Sequence, residues 1–161
     1  MGSLVVSAST VVDAPASVVF DIVADPRQHP RIDGSGTVRG SVSGPERLEL
    51  GSHFSMDMRL GAPYKIHNLV VEFEEGRRIA WKHLGAHRWR YELEELPAAE
   101  GGGTRVTETW DASRYNAVWA AAMKAAGFPE RNRKGIEATL VRLKEAAEAD
   151  ARAASGEGAD A

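Results

Sequence analysis

No cysteine occurs among the 161 residues. That excludes disulfides, thiolate metal sites and a cysteine nucleophile, and it suits a reducing, cytoplasmic setting. Long apolar runs are also missing: none approaches the roughly 20 residues that a membrane span requires. The opening MGSLVVSAST has no basic stretch leading into an apolar segment and a cleavage site, so no secretion signal is expected. Position 6 is Val where an N-myristoylation signal needs Ser or Thr. An excess of positive charge is absent as well. With 20 Lys and Arg against 23 Asp and Glu, the formal net charge is −3, which argues against a nucleic-acid partner or an anionic surface. The common catalytic and phosphate-binding motifs are not found. GSGTVRG at 34–40 matches neither a dinucleotide fingerprint nor a Walker loop, and there is no Gly-x-Ser-x-Gly elbow or His-Glu-x-x-His pair.

What is present is a long series of alternating segments closed by one amphipathic helix. LVVSASTVV alternates with period two and stops at Asp13 and Pro15. Residues 16–25 predict a short helix with Val18, Val19, Ile22 and Val23 on one face. The prolines and glycines of DPRQHPRIDGSG predict a turn or a broken second helix. Strands are expected at 37–43, 51–60, 64–75, 77–84, 87–96 and 103–112, joined by short spacers. Spacers of that length make an antiparallel meander, because parallel pairs need long crossovers. A helical turn or two is expected within 114–127, ending at Gly127 and Pro129. ERNRKGIEATLVRLKEAAEA, 130–149, is the strongest helix, with Ile136, Leu140 and Leu143 at helical spacing. Residues 1–149 are thus read as one domain, and the small polar residues 150–161 as a disordered tail.

The fold class is α+β: a curved antiparallel sheet of six to seven strands around a long C-terminal helix, with two short helices after strand 1. One helix ~10 Å wide does not cover a sheet of that breadth, so a pocket is expected between them. The strand entering DAPASVVFDIVADPRQHP, the central VVEFEEGRRIAWKH, the strand GGGTRVTETWD and the closing IEATLVRLKEAAE resemble the START-like (SRPBCC) superfamily over roughly residues 4–147. That resemblance implies the helix-grip fold shared by the birch pollen allergen group, lipid-transfer START domains and the polyketide cyclase/dehydrase family. It implies no cofactor, and it carries over no catalytic residue, because the superfamily has no unifying catalytic signature.

Strand alternation assigns the faces. Phe54, Met56, Met58 and Leu60 point one way, opposite Asp57 and Arg59. In WKHLGAHRWRY, 81–91, a turn at Leu84-Gly85-Ala86 brings Ile79 opposite Tyr91, Trp81 opposite Trp89 and His83 opposite His87. Pairing Leu93 with Val106 places Tyr91 opposite Glu108 and Trp89 opposite Trp110, whereas a slip by one residue turns Glu108 outward. Three tryptophans in a row are read either as plain cross-strand packing or as a pocket wall. The candidate ligand-binding set is Phe54, Met56, Met58, Trp81, His83, His87, Trp89, Trp110 and Leu140, around a small hydrophobic molecule.

Glu108 is the sharpest single residue, because a carboxylate on an apolar face must be paired, hydrogen-bonded or protonated. With Tyr91 it forms the candidate catalytic pair, as general acid/base or ligand anchor; a structural hydrogen bond is the alternative. His83, His87 and Glu108 have the chemistry of zinc ligands, but a solvent-exposed hairpin end is the better reading, so no metal is assigned. His29 and Asp33 are read as a turn held by Asp side-chain bonds, near the pocket mouth. The arginines at 88 and 90 are read as a solvated sheet face. Three roles are in view: a binding or carrier protein, a polyketide cyclase/dehydratase-type enzyme, and a protein-interaction module. The last would need a basic or apolar outer patch, and neither stands out.

Overall fold

The computed structural model describes residues 4–83 and 85–157, with side chains at all of these except 39, 41 and 60. Strand β1 (Val5–Val12) leads into α1 (Ala16–Val23), a 3-10 turn at Pro26–Gln28 and the single turn α2 (His29–Ile32). The meander follows as β2 (Val38–Ser43), β3 (His53–Leu60), β4 (Ala62–Glu74), β5 (Arg78–Lys82), β6 (Arg88–Glu95) and β7 (Thr104–Asp111). Helices α3 (Ala117–Ala125) and α4 (Phe128–Glu157) close the chain. The strands form one antiparallel sheet in the order β1-β7-β6-β5-β4-β3-β2. β1 and β2 lie at opposite edges, so α1 and α2 carry the chain across, and hairpins bring it back until β7 pairs with β1. This is the α+β helix-grip architecture expected from the sequence.

The ladder has the expected register: Tyr91 opposite Glu108, Trp89 opposite Trp110, Leu93 opposite Val106, and Trp81 opposite Trp89. One feature of β4 is not readable from alternation. The register shifts between Val70 and Glu72, where Val70 pairs with Trp81 but Glu72 with Ala80. A bulge of this kind inserts one extra residue and resets which face the following side chains take. Val70 and Phe73 thereby both point inward, Phe73 edge-on to Phe20 at 5.7 Å, while Glu72 turns outward.

On α4, Ile136, Leu140, Leu143 and Ala147 are buried. They recur every three or four residues, the spacing of one helix face, and α4 packs them against β1, α1 and α2. Two boundaries differ from expectation. Pro129 opens α4 instead of ending the preceding helix, since proline is tolerated in a first turn where no N–H partner is needed. α4 also runs past 149 to Glu157, so the expected disordered tail is helical as far as it is described. Alanine-rich DARAASGE propagates an existing helix readily. Arg31 fastens this extension by donating to both carboxylate oxygens of Asp150, at 2.8 and 3.0 Å. No helix among the described residues is long and apolar enough to cross a membrane.

Candidate functional site

α4 covers the β1 side of the sheet and leaves the concave face of β3 to β7 partly free. A cavity of about 660 Å³ lies there. Its sheet wall is built by Met56, Met58, Trp81, Trp89, Tyr91 and Trp110, and its other side by α3 and the first turns of α4, including Met123, Phe128, Arg131 and Lys134. The rim loop after α2 is held close to α4. Gly34 N–H donates to Thr139 Oγ1 at 3.0 Å, and Arg142 Nη1 donates to the Asp33 carbonyl at 2.6 Å. A Cβ at Gly34 would lie 2.3 Å from the Thr139 backbone nitrogen, so only glycine permits this approach.

Met56, Met58, Trp81, His83, His87, Trp89, Tyr91, Glu108 and Trp110 all line the cavity. Phe54 and Leu140 do not. Phe54 sits in the core behind the wall, edge-on to Trp81 at 5.5 Å and to His29 at 5.4 Å. Leu140 belongs to the stripe that α4 turns toward β1 and α1; the neighbouring stripe, with Asn132, Gly135 and Thr139, faces the cavity. The apolar face of the helix is used up by the core, and the cavity receives the face beside it. Leu60 pairs with Ala62 in the β3–β4 ladder; its side chain and Leu84 lie outside the described residues.

Glu108 is 4% exposed, with Oε2 lacking a hydrogen-bond partner within the protein. Burial pushes its carboxyl up to about 8, although a hydrogen bond from Tyr91 pulls the other way; Asp33 adds to the rise. Desolvation disfavours the charged form, so at neutral pH Glu108 is mainly a carboxylic acid. The Tyr91 hydroxyl is raised well above its ordinary value by burial and by Glu108.

His83 and His87 are half-buried, a departure from the exposed hairpin end expected. Their Nε2 atoms are 3.2 Å apart, and His87 Nδ1 is 3.0 Å from the Tyr115 hydroxyl. When Tyr115 donates to His87 Nδ1, His87 donates onward from Nε2 to His83; the opposite tautomers run the chain the other way. Gly85, at φ +106°, makes room for this: a Cβ there would lie 2.1 Å from the Tyr115 hydroxyl oxygen. Burial, then the neighbouring His87, lowers His83 to about 4, and burial lowers His87. Both rings are uncharged at neutral pH. No grouping of three or more metal-ligating side chains occurs among the described residues.

The cavity lining extends beyond the residues expected from the sequence, and His29 and Asn68 are its most telling additions. His29 is more than a turn residue: Nε2–H donates to the Val23 carbonyl at 2.9 Å, and the ring stacks on Trp81 at 5.0 Å. Nothing in PRQHP marks that burial. Asp33 does hold its turn, accepting from Ser35 N–H and Val38 N–H, both at 3.0 Å. Asn68, in the middle of β4, was readable: it occupies an inward position between Ile66 and Val70, where an amide is out of place.

Known proteins place this architecture. The model of the family described as "Polyketide cyclase / dehydrase and lipid transport" matches residues 3–148. The uncharacterized protein Rv0088 of Mycobacterium tuberculosis (strain ATCC 25618 / H37Rv) is 44% identical over 146 residues, which are 87% of this chain and 62% of that protein. The chain therefore spans less than two thirds of that relative's length. Among solved structures, the KanY protein superposes with a TM-score of 0.69 at 14% identity, over 92% of this chain and 99% of that one. The AHSA1-like protein of Aeromonas hydrophila gives 0.61 at 19%, over 91% and 93%. The Polyketide_cyc-like protein Cgl2372 of Corynebacterium glutamicum gives 0.55 at 22%, over 89% and 90%. At these identities the structures speak for the fold alone.

Proposed function

Because the chain belongs to the polyketide cyclase/dehydrase and lipid-transport family, we propose that it binds a small hydrophobic or aromatic, lipid-like or polyketide-like molecule between its sheet and its C-terminal helix. The observation that supports this most is the cavity itself. At about 660 Å³ it has the size of small-molecule sites, and aromatic and methionine side chains dominate its sheet wall. Trp81, Trp89 and Trp110 offer flat apolar faces, and Met56 and Met58 adapt to a ligand's outline. On the sheet side of the cavity His83, His87, Tyr91 and Glu108 favour their uncharged forms at neutral pH, which suits an apolar guest, and the charges of Arg131 and Lys134 stand on the helical side.

Native mass spectrometry of the purified protein tests the reading, followed by tryptophan fluorescence titrations with fatty acids, sterols and aromatic polyketides. A co-purified mass or saturable quenching is expected. Neither appearing would point to a filled core and to protein partners.

One observation favours a second reading, an enzyme of the cyclase/dehydratase type. Glu108 is a buried acid poised near neutrality and hydrogen-bonded to Tyr91, a combination suited to moving protons to and from an enolisable ketone. Glu108→Gln separates the two. It keeps the shape and apolar affinity in a binding protein and abolishes turnover in an enzyme.

A further inference from the structure

Among the described residues, the buried side-chain atoms without a hydrogen-bond partner in the protein are Glu108 Oε2 and both amide atoms of Asn68. Asn68 is 2% exposed and lines the cavity. An amide buried with neither its donor nor its acceptor used destabilises the fold, and a leucine of similar volume would remove that cost. A buried polar group of this kind gains its partner only where a ligand group is brought within hydrogen-bond reach of it. Asn68 is set apart from the Glu108–Tyr91 pair: β4 lies three strands from β7 and two from β6 in the sheet, roughly 14 and 10 Å at ~4.8 Å per strand.

The surroundings define the complement. Asn68 pairs with Phe54 on β3, and on β5 it stands one step beyond the last paired residues, Leu69 and Lys82, level with His83. Ile66 and Val70 flank it on its own strand. The lining cations, Arg131 and Lys134, belong to α4 across the cavity. A carboxylate at Asn68 would accept from the NH₂ group and leave Oδ1 without a donor. A ketone alone would satisfy only the NH₂ group.

We propose that Asn68 is the polar anchor of the cavity and takes an uncharged ligand group presenting a donor and an acceptor side by side, as a lactam, a primary amide or a hydroxy-enone does. This rests on the cavity being a binding site for an apolar molecule, and it adds which functional group that molecule carries toward β4.

The test uses three probes of one ring size: 6(5H)-phenanthridinone, its N-methyl derivative and phenanthrene. Dissociation constants are measured by equilibrium dialysis on the full chain and on Asn68→Leu. The full chain is expected to bind the lactam at least about tenfold more tightly than the N-methyl compound, the size of one buried hydrogen-bonding group left unmet. Asn68→Leu is expected to erase that preference while holding phenanthrene within about threefold. If Leu at 68 does not fold, Asn68→Ala carries the same comparison. Phenanthrene bound but no lactam preference, or a preference that survives the substitution, overturns the assignment of Asn68 and leaves the cavity reading standing. No binding of any probe, phenanthrene included, overturns both.

Discussion

Glu72 and Glu108 are the same residue on opposite faces of one sheet, and their surroundings drive them apart. Glu72, on the convex face, accepts from Arg88 Nη1 at 2.7 Å and from Arg90 Nε and Nη2 at 2.9 and 2.8 Å. Its carboxyl is held down at about 2, chiefly by Arg90. Glu108 faces the cavity with a phenol for company and is pushed up to about 8. The lesson is that ionisation here is set by face. The convex surface gathers its charges into a half-buried network rather than the loosely solvated face expected, with Asp111 adding a contact to Arg90 at 3.5 Å. The concave surface is polar without being charged.

The largest effect that tests this contrast is at Glu108. Its folded carboxyl releases its proton near 8 and its unfolded one near 4.5. Between those values the unfolded chain has lost the proton and the folded chain keeps it, so stability falls as pH rises across that window. Glu108→Gln removes this slope and is expected to stabilise the protein at pH 8 by roughly 4 kcal/mol. Urea denaturation from pH 5 to 9 measures it, and parallel curves for the two proteins would mean that Glu108 is ionised in the fold.

Glu72 carries the opposite sign. Its folded carboxyl lies below the unfolded value, so its contribution is present above about 4.5 and lost as pH falls toward 2. Glu72→Gln is expected to cost on the order of 2 kcal/mol at neutral pH and to flatten the acid limb of the stability curve. An unchanged acid limb would show that the network is screened like an ordinary surface pair.

Asn68→Leu comes next. Removing an unpartnered buried amide is expected to stabilise the empty protein by about 1–2 kcal/mol, or several degrees in Tm by calorimetry. A lower Tm would mean that the amide is already satisfied in the fold. The smallest effect is spectroscopic. The His83 ring is expected to remain uncharged down to about pH 4, so its proton resonances should hold still between pH 7 and 5.5, where an exposed histidine moves.

Much of this is legible in the sequence. Matching Leu93 to Val106 was enough to set Glu108 against Tyr91, because a slip by one residue would have put Val106 and Trp110 in water. That Glu108 must be paired, hydrogen-bonded or protonated followed from its address on an apolar face, and the structure supplies both a hydrogen bond from Tyr91 and a raised carboxyl. The bulge at Val70–Glu72 was not legible, since an extra residue in a strand leaves no mark when both neighbours tolerate either face. Nor was the division of α4 into a core stripe and a cavity stripe. Leu140 and Thr139 are adjacent in sequence, and which of them meets the cavity depends on where β1 and α1 press against the helix. Asn68 stands in the sequence as an exception to its strand, an amide at an inward position between Ile66 and Val70.

Helix α3 has no buried residue, and Trp119 on it is 61% exposed, while the other three of the chain's four tryptophans line the cavity. The molecule is in effect a two-colour reporter. Trp119 emits from water, at the red edge, and is open to iodide, whereas the cavity trio emits from a low-polarity wall that iodide does not readily enter. Emission lost to a guest and emission lost to iodide should come from separate populations, and Trp119→Phe would leave a chain whose intrinsic light reports on the cavity alone.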